Sequence, residues 1–334
     1  MDDSPKKSKK SPKKESKSKS KKEPKKSPKK DKKEPKKTEK SSIDDSPLEP
    51  ERVKPKIPSD CSVFVEIDSI DCLIPIFDSF KGVASTVVMR FSYKNEPQND
   101  GIYIIKLDTS RTAIARVYLS ANLFGRIYCD QEEYSMGISV EKMCKILKSV
   151  DRDCSMVITY KNADKGDLHI ETSDKGKFKL NIMDSPNDGE PPNIKPHVAI
   201  RFDSERFHSA CSNIKSWPSS YIEFQCDEQI TLLSENGDWS KEFGNDDDIE
   251  IKYNGKAKST KNKFELDNVL MFLKCKKLCD KVKIYLSQDK PIIVHYEIPI
   301  GDIKVFVSHK NETNISASFN DAEYGYTNPQ AKSK

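Results

Sequence analysis

An internal repeat constrains this chain more than any other feature. The stretch Gly137-Ile138-Ser139-Val140-Glu141-Lys142-Met143-Cys144-Lys145-Ile146-Leu147-Lys148 has a counterpart about 130 residues later, Lys263-Phe264-Glu265-Leu266-Asp267-Asn268-Val269-Leu270-Met271-Phe272-Leu273-Lys274. Both have a helical apolar period and end on a lysine. Each is followed, after a short loop, by a Val/Ile-rich run that reaches Tyr160 or Tyr285. Around them the order of elements is also the same: a strand leads into a helix, several strands follow, then a second helix, then a pair of strands. Self-similarity at this period means two copies of one α+β unit, joined here by Asp184-Ser185-Pro186-Asn187-Asp188-Gly189-Glu190-Pro191-Pro192.

Strands dominate each copy. Alternating apolar runs such as Val63-Phe64-Val65-Glu66-Ile67 and Ile102-Tyr103-Ile104-Ile105-Lys106-Leu107 recur at 113–119, 156–160, 167–171, 176–183, 197–202, 221–226, 249–253, 281–286, 292–298 and 303–308. Four short segments carry a helical period: 70–81, 140–149, 204–216 and 267–277. The first stacks Leu73, Ile76, Phe77 and Phe80, with Pro75 tolerated near its first turn. Ser139, Asp203 and Asp267 precede the other three as N-caps. Each helix keeps a polar, often basic, opposite face.

The remainder of the chain obeys different physics. Residues 1–40 hold nineteen Lys against seven Asp and Glu, a formal +12, so the rest of a chain of net +5 carries −7. Residues 1–57 have almost no large apolar side chain before Ile43, and nothing there can offset the entropy of ordering, so a disordered tail is expected. Ser-Pro-Lys-Lys recurs at 4–7, 11–14 and 27–30, with Glu-Pro-Lys-Lys variants at 23–26 and 34–37. Proline keeps these lysines extended, which suits successive phosphates or a narrow minor groove. A solubilising or nuclear-import tail is the equal alternative, and each Ser-Pro is a candidate phosphorylation site.

Several function classes are disfavoured. The first fifty residues lack the apolar core of a signal peptide and no later run is long enough to span a bilayer, so a protein without membrane partners is expected. The nine Cys fall at irregular spacings without a CxxC pair and read as reduced, packed thiols. Cys275-x3-Cys279 with His295 or His309 is a weak zinc pattern, and no metal or cofactor is expected. There is no Walker loop, GxGxxG, HExxH or nucleophile elbow, so no catalytic residues are assigned and an enzyme is not expected.

A duplicated unit of sheet and two short helices joined by an interdomain loop resembles a subunit of the PCNA family of DNA sliding clamps. Local stretches match it closely: Leu107-Asp108-Thr109-Ser110, Cys129-Asp130 followed by Met136-Gly137, the helix ending Lys145-Ile146-Leu147-Lys148, Ile182-Met183-Asp184, and Asp289-Lys290-Pro291-Ile292-Ile293-Val294-His295-Tyr296. The resemblance covers roughly residues 60–310. It implies an α+β fold of two sliding-clamp domains, 58–183 and 197–310, sheets outside and short helices inside. Segment 184–196 is then the interdomain connector, and 311–334 a flexible C-terminal tail.

The resemblance also implies the sites. Double-stranded DNA would pass along the inner helices, met by Lys81, Lys145, Lys148 and Lys274, with Lys142, Arg206, Lys215, Lys276 and Lys277 joining by helical position; Ser212 stands where the family has a basic residue. DNA polymerase and other clamp-binding peptide-motif proteins would seat an aromatic anchor among Leu107, Ile114, Pro291, Phe306 and Val307, with Pro192 and Ile194 on the connector. Ser308-His309 departs from the family pattern there, and the connector is shorter and more polar. A clamp loader is a further implied partner. Three copies would close a ring by pairing 176–182 with a strand near 237–243, the second of which diverges. The expected role is a processivity factor in the nucleus or in a cytoplasmic viral replication factory. A monomeric clamp-like replication or transcription accessory that grips DNA through its basic tail is the alternative.

Overall fold

The computed structural model describes residues 56–310, apart from 97, 164–165, 185–187, 247 and 255–258. The lysine-rich segment before residue 56 and the segment 311–334 lie outside the described residues.

The described strands form three antiparallel sheets. A five-stranded sheet runs Gly125–Cys129, Val63–Ile67, Met156–Tyr160, Asp167–Thr172, Lys177–Asn181. A nine-stranded sheet runs Ile249–Tyr253, Val198–Asp203, Lys281–Leu286, Ile292–Ile298, Gly301–Val307, Ala113–Ser120, Gly101–Leu107, Thr86–Ser92, Glu133–Ser139. A four-stranded sheet runs Ser240–Phe243, Ile230–Ser234, Tyr221–Cys226, Thr260–Glu265. The sequence repeat is visible in this order. Each half of the chain contributes a five-strand set and a four-strand set with the same internal order, and the nine-stranded sheet is the second half's five joined to the first half's four.

The joint is the antiparallel ladder between Ala113–Ser120 and Gly301–Val307, in register from Ala113 opposite Val307 to Leu119 opposite Gly301. Alternation sends Ala113, Ala115, Val117, Val305 and Val307 into the main core and Ile114 and Phe306 to the other face. At the end of the ladder a Cβ on Gly301 would sit 1.9 Å from the Tyr118 carbonyl oxygen, and its φ of +154° is one that side chains avoid. Only glycine fits there.

The helices are short and pack in a row. They are α1 (Leu73–Phe80), α2 (Ala121–Phe124), α3 (Val140–Lys148), α4 (Ser204–Lys215) and α5 (Leu266–Val269), followed by a 3-10 helix, Leu273–Leu278. α1 packs between α3 and the 3-10 helix, which in turn touches α4. Ser139 caps α3 by accepting from the Lys142 N–H, and Asp203 caps α4 by accepting from the Arg206 N–H. One core spans both halves, and across the boundary Phe80 meets Phe272 edge-on at 5.1 Å.

The fourth expected helix differs. Instead of one helix over 267–277 the chain makes the single turn of α5, breaks at Leu270 and Phe272, and resumes as the 3-10 helix. Burial of Phe272 against Phe80 outweighs helical propensity at the break. Asp267 is not a cap: the N-cap is Glu265, without a side-chain bond, and Asp267 pairs with Lys215 at 2.5 Å. α2 and the strands Thr86–Ser92, Gly125–Cys129, Glu133–Ser139, Ile230–Ser234 and Thr260–Glu265 were outside the sequence-based set.

Two outcomes follow for stability. Gly301→Ala is expected to destabilise by ~2–4 kcal/mol in denaturant unfolding, while Gly244→Ala, where an added Cβ meets nothing within 4 Å, stays near wild type. His208 is fully buried on α4, with Nε2 3.2 Å from the Tyr296 hydroxyl and the rings stacked. Burial, then the Lys276 charge, push its pKa down to about 4. On acidification the unfolded chain therefore binds this proton first, near pH 6.5, and stability present at neutral pH is lost between about 6.5 and 4. The thermal midpoint is expected to fall across that window, and less steeply in His208→Gln.

Candidate nucleic-acid interface and peptide groove

The row of helices gathers lysines from both halves around one carboxylate. Asp78, on α1, lies 2.9 Å from Lys148 of α3 and 3.7 Å from Lys81 at the end of α1, and its main-chain carbonyl accepts from Lys274 at 2.7 Å. Burial raises the Asp78 carboxyl, but the Lys148 hydrogen bond and the charges of Lys148, Lys274 and Lys81 outweigh it and hold the group below the usual carboxylate range. Asp78 reciprocally raises Lys148. The 3-10 geometry places Lys274 and Lys277 one three-residue turn apart. With Lys276 and Arg152 they line a cavity of about 580 Å³ between α1 and the 3-10 helix. Arg152, just past α3, was not among the sequence candidates.

The other predicted basic residues are spread differently. Lys145 pairs with Glu141 one turn away at 2.7 Å and is 73% exposed, leaving it free to exchange partners. Lys142 reaches Asn181 at 3.2 Å. Lys215 is held by Asp267 and Lys276 by Glu205 at 2.9 Å. Arg206 is paired with Asp246 and Asp248, at 3.1 and 3.0 Å. Among the described residues no three His, Cys, Asp or Glu come close enough to hold a metal ion.

The opposite feature is a groove on the other face of the nine-stranded sheet. Its floor is one cross-strand row: Tyr285 opposes Ile293, Ile293 opposes Phe306, Phe306 opposes Ile114 and Ile114 opposes Leu107. Ile114, Ile293 and Phe306 form a small cluster separate from the main core, with Leu107, Ile194 and Tyr285 packed on it. The connector crosses this row and is pinned at both ends. Asp188 pairs with Lys106 at 2.8 Å and accepts from the Leu107 N–H, Glu190 pairs with Arg90, and the Ser287 hydroxyl donates to the Lys195 carbonyl. Between connector and sheet lies a cavity of about 400 Å³ walled by Pro191, Pro192, Asn193, Ile194 and Pro196 on one side and by Tyr285, Ile293, Phe306, Arg116, Lys304 and His295 on the other.

Leu107, Ile114, Ile194 and Phe306 are thus brought together, and Pro192 lines the cavity. Val307 and Pro291 are corrections. Val307 is buried in the main core, because neighbours on one strand cannot face the same side, and Pro291 is buried outside the lining. Ile293 and Tyr285 were missed. Their signal was available in the alternation that marks Phe306 and Ile114.

Comparison with known proteins agrees with this geometry. Residues 70–189 match the N-terminal domain of proliferating cell nuclear antigen. A probable DNA polymerase sliding clamp of Acanthamoeba polyphaga mimivirus is 28% identical over 64% of this chain, which spans about half (48%) of that relative's length. A probable DNA polymerase sliding clamp of Paramecium bursaria Chlorella virus 1 is 22% identical over 70% of this chain and 91% of its own. In fold, the crystal structure of proliferating cellular nuclear antigen from Entamoeba histolytica aligns with 75% of this chain and 99% of its own, at a TM-score of 0.66 and 21% identity. By matched domain and by relatives the chain is similar to the PCNA-type sliding clamps, and it shares their fold.

Proposed function

We propose that the chain is a DNA sliding clamp: a processivity factor, not a catalyst, whose copies encircle duplex DNA at sites of replication and tether a polymerase and other clients. In this reading residues 58–183 and 197–310 are the two clamp domains and 184–196 is the connector. One observation carries it. By the repeat, Lys177–Asn181 occupies in the first half the position that Gly301–Val307 occupies in the second, and Ser240–Phe243 the position of Ala113–Ser120. The latter member of each comparison is paired within the chain. The former two are sheet edges, so the pairing that joins the halves can be repeated between copies until the ring closes. Three copies, six repeats, is the closure the family likeness favours.

The helix row then lines the hole. Lys81, Lys145, Lys148 and Lys274, with Lys276, Lys277 and Arg152 beside them, make loose phosphate contacts without reading sequence, which sliding requires. Arg206, committed to two carboxylates, contributes least. The groove beneath the connector receives the aromatic-anchored peptide of a client, and a loader opens the ring. The lysine-rich N-terminal segment adds a second, sequence-independent DNA contact.

Primer extension on a circular template tests this. With a loader present, Lys81, Lys145, Lys148 and Lys274 changed together to Ala are expected to shorten products on the order of tenfold, whereas deletion of residues 1–55 leaves most stimulation intact. A deletion that abolishes stimulation while the four-lysine variant stays fully active would support the tail-gripping monomer instead. Asp78→Asn, which frees Lys148 and Lys81 from a carboxylate, is expected to tighten equilibrium binding of the loaded clamp and steepen its dependence on salt.

A further inference from the structure

A second row of side chains lies beside the groove floor, two residues along each strand. Arg201 opposes Lys283, Lys283 opposes His295, His295 opposes Lys304, and Lys304 opposes Arg116. Five adjacent strands thus carry a cation or a histidine at one level, parallel to the apolar row and offset from it by about 7 Å. Like charges directly opposite one another destabilise a sheet. Folding alone gives no reason to align them.

Internal carboxylates do not fully neutralise the row. Lys283 is held by Glu297 at 2.5 Å, but Lys304 is 3.8 Å from Asp302. Arg116 has no carboxylate partner among the described residues, and its guanidinium lies 5.8 Å from the Tyr103 ring centre. Both line the cavity under the connector, where Glu190 is engaged by Arg90. His295 lines the same cavity at 8% exposure, with its ring nitrogens buried and Nε2 3.9 Å from the Asp302 carboxylate.

We infer that the groove selects an acidic client peptide: an apolar or aromatic anchor enters the floor of Ile293, Phe306 and Ile114, and a carboxylate near the anchor lies against Lys304 and Arg116. This rests on the reading of the groove as a client site. Charge complementarity selects this partner, since a basic flank would meet Lys304 and Arg116 at close range.

Calorimetric titration of the full chain with three peptides decides it. They share the same aromatic anchors and differ only at the flanking positions, which carry Asp and Glu, Asn and Gln, or Lys. The acidic peptide is expected to bind about three- to tenfold more tightly than the amide peptide, with the gap closing in high salt. Lys304→Gln with Arg116→Gln should erase the gap while keeping amide-peptide affinity, and Lys304→Glu with Arg116→Glu should favour the Lys peptide. Equal binding of all three, or a gap that survives the double Gln variant, overturns the acidic preference and leaves the groove as a client site. No binding by any peptide, with or without residues 311–334, overturns the client site itself. Binding that emerges only after removal of 311–334 assigns the groove to the chain's own C-terminal segment and overturns the external partner.

Discussion

The ladder between Ala113–Ser120 and Gly301–Val307 is the interaction on which the rest depends. It joins the two repeats through one nine-stranded sheet, with the helix row on one face and the groove on the other. Toward the core, Val305, Val307, Ala113 and Ala115 support the helix row. On the far side, Phe306 and Ile114 become the floor of the groove. The close approach at Gly301 lets the ladder reach Leu119, and Phe80 against Phe272 locks the helices of the two halves across the same boundary.

Charge is distributed so that each surface stays weakly committed. On the helix side a single residue, Asp78, organises lysines from three helical segments, Lys81 and Lys148 through its carboxylate and Lys274 through its main-chain carbonyl. The lysines are exposed and Asp78 is largely buried, and in the proposed clamp Lys81 and Lys148 would exchange this carboxylate for phosphate. On the groove side the basic row is only partly matched by Glu297 and Asp302. Both arrangements hold cations in place without saturating them, as the contacts of the proposed clamp would require.

Much of the fold was legible because the repeat and the two periodicities report burial directly. Helices α1, α3 and α4 fall where Phe77, Met143 and Phe207 mark an apolar stripe, with Ser139 and Asp203 as caps. The break at Leu270–Phe272 was not legible, because a long-range aromatic contact decides it and local propensity does not. Thr86–Ser92 and Thr260–Glu265 were missed because polar residues punctuate their alternation. For the sites, residue type and helical position found the lysines but not their partners. Only tertiary structure brings Asp78 to Lys274, or turns Arg206 toward Asp246 and Asp248. Val307 faces the core because strand parity sets it opposite to its neighbour Phe306, which family likeness does not report.

Closure of the proposed ring requires the edges Lys177–Asn181 and Ser240–Phe243 to repeat between copies the pairing made inside each copy. Sedimentation equilibrium of the full chain at micromolar concentration tests it most directly. Three copies of 38.0 kDa, a particle of about 114 kDa that does not change mass on tenfold dilution, is the predicted result. A single species at 38.0 kDa across that range would contradict it.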